Sequence, residues 1–83
     1  MIELKFVHVS EPWFVFYRID RANKKLWGSN QKTDNKIVPL PWKGLFDKRK
    51  EKAQDKLTEN LTDQEFKMII ILAMMKNGYK ERV

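Results

Sequence analysis

The residues best suited to chemistry in this chain are cations and aromatic rings, not nucleophiles. Arg18, Arg21, Lys24, Lys25, Lys32, Lys36 and Lys43 fall within one stretch, interleaved with Trp27 and Trp42 and preceded by Phe14 and Phe16. Lys48, Arg49 and Lys50 follow. Lysine and arginine contact phosphates, and aromatic faces stack on unpaired bases. The mixture is therefore the chemistry of single-stranded nucleic-acid binding. The sequence has no RNP-type, KH-type or zinc-finger pattern, so the residues point to a class of ligand and not to a known module.

Covalent and acid–base chemistry find little support. The chain has no cysteine, which excludes disulfides, thiolate nucleophiles and cysteine-based zinc sites. Its one histidine, His8, shares an alternating face with Ile2, Leu4 and Phe6, the position of a histidine at the core edge. No serine or threonine lies in a G-x-S-x-G frame, and the three glycines are isolated and cannot cradle a phosphate. Asp34, Asp47 and Asp63 are not spaced as metal ligands. The expectation is a non-enzymatic protein with no cofactor and no metal.

Charge points the same way. Lys and Arg number 17 against 11 Asp and Glu, a formal net charge of +6. Residues 21–60 hold eleven basic and five acidic groups, so the excess lies in the middle of the chain. Within residues 47–59, five basic and four acidic groups alternate, and Lys48–Glu51, Lys52–Asp55 and Lys56–Glu59 fall at a helical spacing that lets them neutralise one another. Only Lys48, Arg49 and Lys50 there have charge to spare. A basic chain favours polyanions: RNA ahead of duplex DNA, or an acidic protein surface.

The positioning elements are those of one small α+β domain, residues 1–83. With 42% apolar and 34% charged residues the balance is that of a folded chain. Residues 2–9 alternate as a half-buried strand, and Ser10, Glu11 and Pro12 make a turn. Residues 13–19 form the strongest strand, with Trp13, Val15, Tyr17 and Ile19 on one face and Phe14, Phe16 and Arg18 on the other. The two Phe rings are expected in the core, as aromatics of a central strand usually are. Residues 25–29 follow as a third strand that Gly28 ends or bulges. Residues 36–38 form a short fourth, stopped by Pro39 and Pro41. Residues 45–59, without Gly or Pro, predict a first helix with a thin apolar stripe of Phe46, Ala53 and Leu57. Thr62 and Glu65 form a capping box that opens a second helix over residues 63–77, with Gly78 as its terminator. The expected architecture is a three- to four-stranded antiparallel meander followed by two C-terminal helices packed on the sheet.

The second helix is apolar on nearly all sides, more than a small sheet and a thinly apolar neighbour can cover. Met68, Ile71, Leu72 and Met75 are therefore expected at an interface, with a second copy of the chain or with a partner protein. The longest apolar run, residues 68–75, is too short to cross a bilayer, for which ~20 residues are needed. The N-terminus alternates and does not read as a signal peptide, so a cytoplasmic protein without membrane contact is expected. Two functions follow. The first is a small basic protein that binds RNA or another single strand through residues 18–50. The alternative is a protein-interaction module, such as a phage-type inhibitor or adaptor, that docks its apolar helix or its basic face on a partner.

Overall fold

The computed structural model describes residues 1–42 and 59–82. Among them, five strands form one antiparallel sheet: β1 (Ile2–His8), β2 (Phe14–Asp20), β3 (Lys25–Ser29), β4 (Val38–Leu40) and β5 (Tyr79–Glu81), in the order β4-β3-β2-β1-β5. One helix, α1 (Asp63–Lys76), packs on the sheet. The class is α+β, as expected.

The three long strands follow their side-chain alternation. Pairing Ile2 with Ile19, Leu4 with Tyr17 and Phe6 with Val15 puts one apolar set on one face of β1 and β2. Ile19 opposite Leu26 carries that face onto β3. Ile2, Leu4, Phe6, Val15, Ile19 and Leu26 are buried there together with Phe66 and Ile70 of α1. Each such side chain is worth roughly 1.5–3 kcal/mol when fully removed from water. Tyr17, Leu40, Trp42, Ile71, Met74 and Tyr79 pack around them.

The ends of α1 are set by local chemistry. The Thr62 side chain accepts from the Glu65 amide, and the Thr62 amide donates to the Glu65 carboxylate at 3.1 Å. These bonds from Thr62 hold the Glu65 carboxyl below its ordinary range. The cap therefore holds at neutral pH, and its contribution is lost as pH falls through that lowered value. At the other end Gly78 has φ 86°, the left-handed conformation that ends helices. It turns the chain back along β1, where the Val9 amide donates to the Gly78 carbonyl at 2.8 Å.

Three expectations are corrected. The sheet has five strands, because Tyr79–Glu81 returns after the helix and pairs with β1 at Phe6, Val7 and His8. Strand β4 spans Val38–Leu40, two residues later than residues 36–38, with Pro39 inside it opposite Trp27. An edge strand has only one neighbour, which is why it tolerates a residue without an amide hydrogen. Gly28 neither ends nor bulges β3; it pairs with Tyr17 and Val38 in regular register. Of the two helices expected, one is among the described residues; the helix expected over residues 45–59 lies outside them, except that Glu59 is helical.

Gly28 is required by close packing. A Cβ there would lie 2.6 Å from Leu40 Cδ1 and 2.8 Å from the Phe16 carbonyl oxygen, and the second of these is backbone that cannot swing aside. Gly28→Ala should lower unfolding free energy by about 1–3 kcal/mol, read from the denaturant midpoint. An unchanged midpoint would mean that β3 and β4 are not packed this closely.

Candidate nucleic-acid interface

Helix α1 covers one face of the sheet, so alternation sends the other set of side chains to the opposite, outer face. On β2 these are Phe14, Phe16 and Arg18; on β3, Lys25, Trp27 and Ser29; on β1, Glu3, Lys5 and Val7. Phe14 is 50% exposed, and Phe16 and Trp27 are half-buried. The core placement expected for the two Phe rings is thus overturned: Val15, Tyr17 and Ile19 take the inner face, and the register leaves Phe14 and Phe16 outside.

The register also aligns the rings with cations. Trp27 lies beside Arg18, which lies beside Glu3; Ser29 lies beside Phe16, which lies beside Lys5. Past β5 the Arg82 amide donates to the Lys5 carbonyl at 2.8 Å, extending the second row. Lys80, opposite Val7, completes the face. The Arg18 guanidinium lies 5.8 Å from the centre of the Phe16 ring, and that of Arg82 lies 5.3 Å from that of Phe14. The face holds Lys5, Arg18, Lys25, Lys80 and Arg82 against Glu3 and Asp20. Glu3 is taken by Arg18 at 3.3 Å. Asp20 is tied into the following turn by the Asn23 side chain at 2.9 Å, which holds its carboxyl below the usual range.

An open concavity of about 390 Å³ lies on this face. Phe14, Phe16 and Ser29 line it from the sheet, Asn35 and Ile37 from the connection into β4, and Arg82 from beyond β5. That connection begins with a single 3-10 turn, Gln31–Thr33, closed by a reciprocal pair of hydrogen bonds between Asn30 and Thr33. A second concavity of about 400 Å³ lies between Trp13, Tyr17, Lys32, Met74 and Tyr79.

The residues expected to bind nucleic acid do not all meet. Arg18, Lys25 and Trp27 share the outer face. Lys32 and Lys36 are exposed in the connection between β3 and β4. Arg21 and Lys24 instead secure the helix. Arg21 donates to Asp63 at 2.8 Å and to the Leu61 carbonyl at 2.8 Å, with its guanidinium 4.6 Å from the centre of the buried Phe66 ring. Lys24 lies 3.7 Å from Glu59. Arg18, Arg21 and Lys24 thus each have an acid at hand, in Glu3, Asp63 and Glu59. Lys43, Lys48, Arg49 and Lys50 lie outside the described residues. Sequence reasoning missed Lys5, Lys80 and Arg82. The alternation of β1 could have revealed Lys5, while the other two depended on a strand that was not foreseen.

His8 belongs to the framework. It accepts from the Ser10 amide at 3.2 Å and packs between Trp13 and Tyr79, with ring centres at 5.4 and 5.0 Å. On α1 the expected interface residues Met68, Leu72 and Met75 are 50–56% exposed, Ile69 beside them is 40% exposed, and Ile71 is half-buried. Among the described residues no helix is long and apolar enough to cross a membrane. No protein-family model matches the chain, and neither a curated protein nor a solved structure does.

Arg21 and Lys25 separate framework from surface. Arg21→Ala should lower stability by roughly 1.5–3 kcal/mol, the worth of hydrogen bonds to a charged group, in a denaturant titration. Lys25→Ala, which removes only an exposed cation opposite Asp20, should leave the midpoint within about 0.5 kcal/mol of the parent. A neutral Arg21→Ala would show that this cation is not a structural clamp.

Proposed function

We propose that the protein is a non-enzymatic binder of single-stranded nucleic acid, RNA foremost, and that the outer face of the sheet is the binding surface. The observation that carries this reading is the placement of Phe14, Phe16 and Trp27 on the face that no described element covers, among Lys5, Lys25, Lys80 and Arg82, with both described acids of that face already engaged. Rings held on a rigid sheet stack unpaired bases whatever their identity, and cations around them track the phosphates. A duplex hides its bases from such a face, which favours single strands.

Binding to a labelled single-stranded RNA should weaken steeply with salt. If four phosphates are neutralised, the slope of log K against log salt is about −3. Phe16→Ala and Trp27→Ala should each cost on the order of 1–3 kcal/mol of affinity, the worth of one stacked base, without loss of the folded state in a thermal melt. Equal affinity for duplex, or affinity indifferent to both substitutions, would count against the outer face.

A second reading concerns α1. Met68, Ile69, Leu72 and Met75 leave an apolar row in water, which favours pairing with a second copy of the chain. The helix carries Asp63 and Glu65 in its first turn and Lys76 in its last. An antiparallel two-fold pair therefore sets opposite charges against each other at both ends. Sedimentation at micromolar concentration should show a dimer that Met75→Glu converts to folded monomer. A parent chain that sediments as monomer rejects the pairing.

A further inference from the structure

The concavity on the outer face has more than stacking and charge. Among the described residues, the Ser29 hydroxyl and the Asn35 side-chain amide make no hydrogen bond to protein, and both border it. Asn35 is also held in place. Its backbone N–H donates to the Asn30 carbonyl at 2.9 Å, and Asn30 is locked to Thr33 by the reciprocal bonds of the 3-10 turn. Its φ of 60° lies in the left-handed region, which asparagine adopts more readily than most residues. A planar amide on a braced turn lines the same concavity as two phenyl rings and a guanidinium; together they offer groups for a ring face, a polar base edge and a phosphate. The volume of about 390 Å³ falls toward the small end of ligand sites, which run from roughly 300 to 1,000 Å³.

We infer that this concavity is a base-reading subsite, in which an adenine stacks on Phe14 and Phe16, the Asn35 amide pairs with its edge, and Arg82 holds the adjoining phosphate. The inference rests on the outer face being the binding surface and adds selectivity to it. A carboxamide offers one donor and one acceptor side by side, and adenine presents the complementary pair at its exocyclic amine and N7, an edge that pyrimidines lack; it is this edge that the subsite reads. A purine also covers more of two phenyl rings than a pyrimidine does. Ser29 supplies a hydroxyl that either donates or accepts, so it adds hydrogen bonding without dictating the base.

The test compares equal-length labelled oligo(A), oligo(U) and oligo(C) on the full chain by fluorescence anisotropy at low salt. Asn35→Gly serves as the reading variant because glycine keeps the left-handed backbone, and Phe14→Ala serves as the stacking variant. Thermal melts establish that both fold. The parent should bind oligo(A) about tenfold or more tighter than the pyrimidine strands, the discrimination expected of one bidentate contact. Asn35→Gly should remove most of that preference while retaining pyrimidine affinity, and Phe14→Ala should weaken all three. Binding without preference for oligo(A), or a preference that survives Asn35→Gly, overturns the subsite and leaves the broader surface standing. No binding to any strand, with the parent folded, overturns both.

Discussion

Among the described residues, the structure depends on α1 covering one face of the sheet while no described element covers the other. Phe6, Ile19, Phe66 and their neighbours can be buried only if α1 lies on the inner face, and strand geometry then decides the rest. Successive side chains point to opposite faces, so burying Val15, Tyr17 and Ile19 obliges Phe14, Phe16 and Arg18 to face outward. A slip of one residue would exchange the two sets and place Arg18 in the core, at a large desolvation cost. The aromatic outer face is thus a consequence of core packing.

Charge is divided between two tasks. At the turn after β2, Arg21 and Lys24 hold Asp63, the Leu61 carbonyl and Glu59, which joins the N-terminal end of α1 to the sheet. Arg21 does most of this, since its side chain is largely buried and stacks on Phe66. The exposed Lys24–Glu59 pair adds little, as ion pairs in water usually do. On the outer face, by contrast, Lys5, Lys25, Lys80 and Arg82 are not within salt-bridge distance of an acid among the described residues. A net charge of +6 is therefore a poor guide by itself. What matters is which cations are left over once the fold has used its own.

Much of this was legible in the residues. The alternation of β1 and β2, the span of β3, the capping box at Thr62 and the glycine stop at Gly78 all appear where local patterning places them. The reasons for the misses are physical. Tyr79–Glu81 is three residues long and too short for periodicity to register; only its contact with β1 makes it a strand. Pro39 reads as a strand breaker, and becomes tolerable only because β4 lies at an edge. Gly28 looks like a bulge until the approach of Leu40 and the Phe16 carbonyl is known. For the site, rings and cations announced the chemistry, but which cation joins which ring is a matter of register. Arg21, two residues past Ile19 in sequence, serves the helix, while Arg82, at the far end of the chain, joins Phe14.

The apolar row of α1 and the basic face of the sheet lie on opposite sides of the described structure. Phe66 and Ile70 point from the helix toward the sheet, so Leu72 and Met68, roughly half a turn of the helix wheel away, point from it. Pairing of two copies through these helices would leave both outer faces open and directed apart. Neither surface then competes with the other for the same residues, and no element needs to move for both to be used. The separation also accounts for an otherwise awkward composition. A chain this small carries an excess of positive charge and a surplus of exposed Met, Ile and Leu, two features that would weaken each other if mixed on one surface. Segregated to opposite sides, the apolar row can associate without covering the cations of the sheet face, and those cations stay open to phosphates.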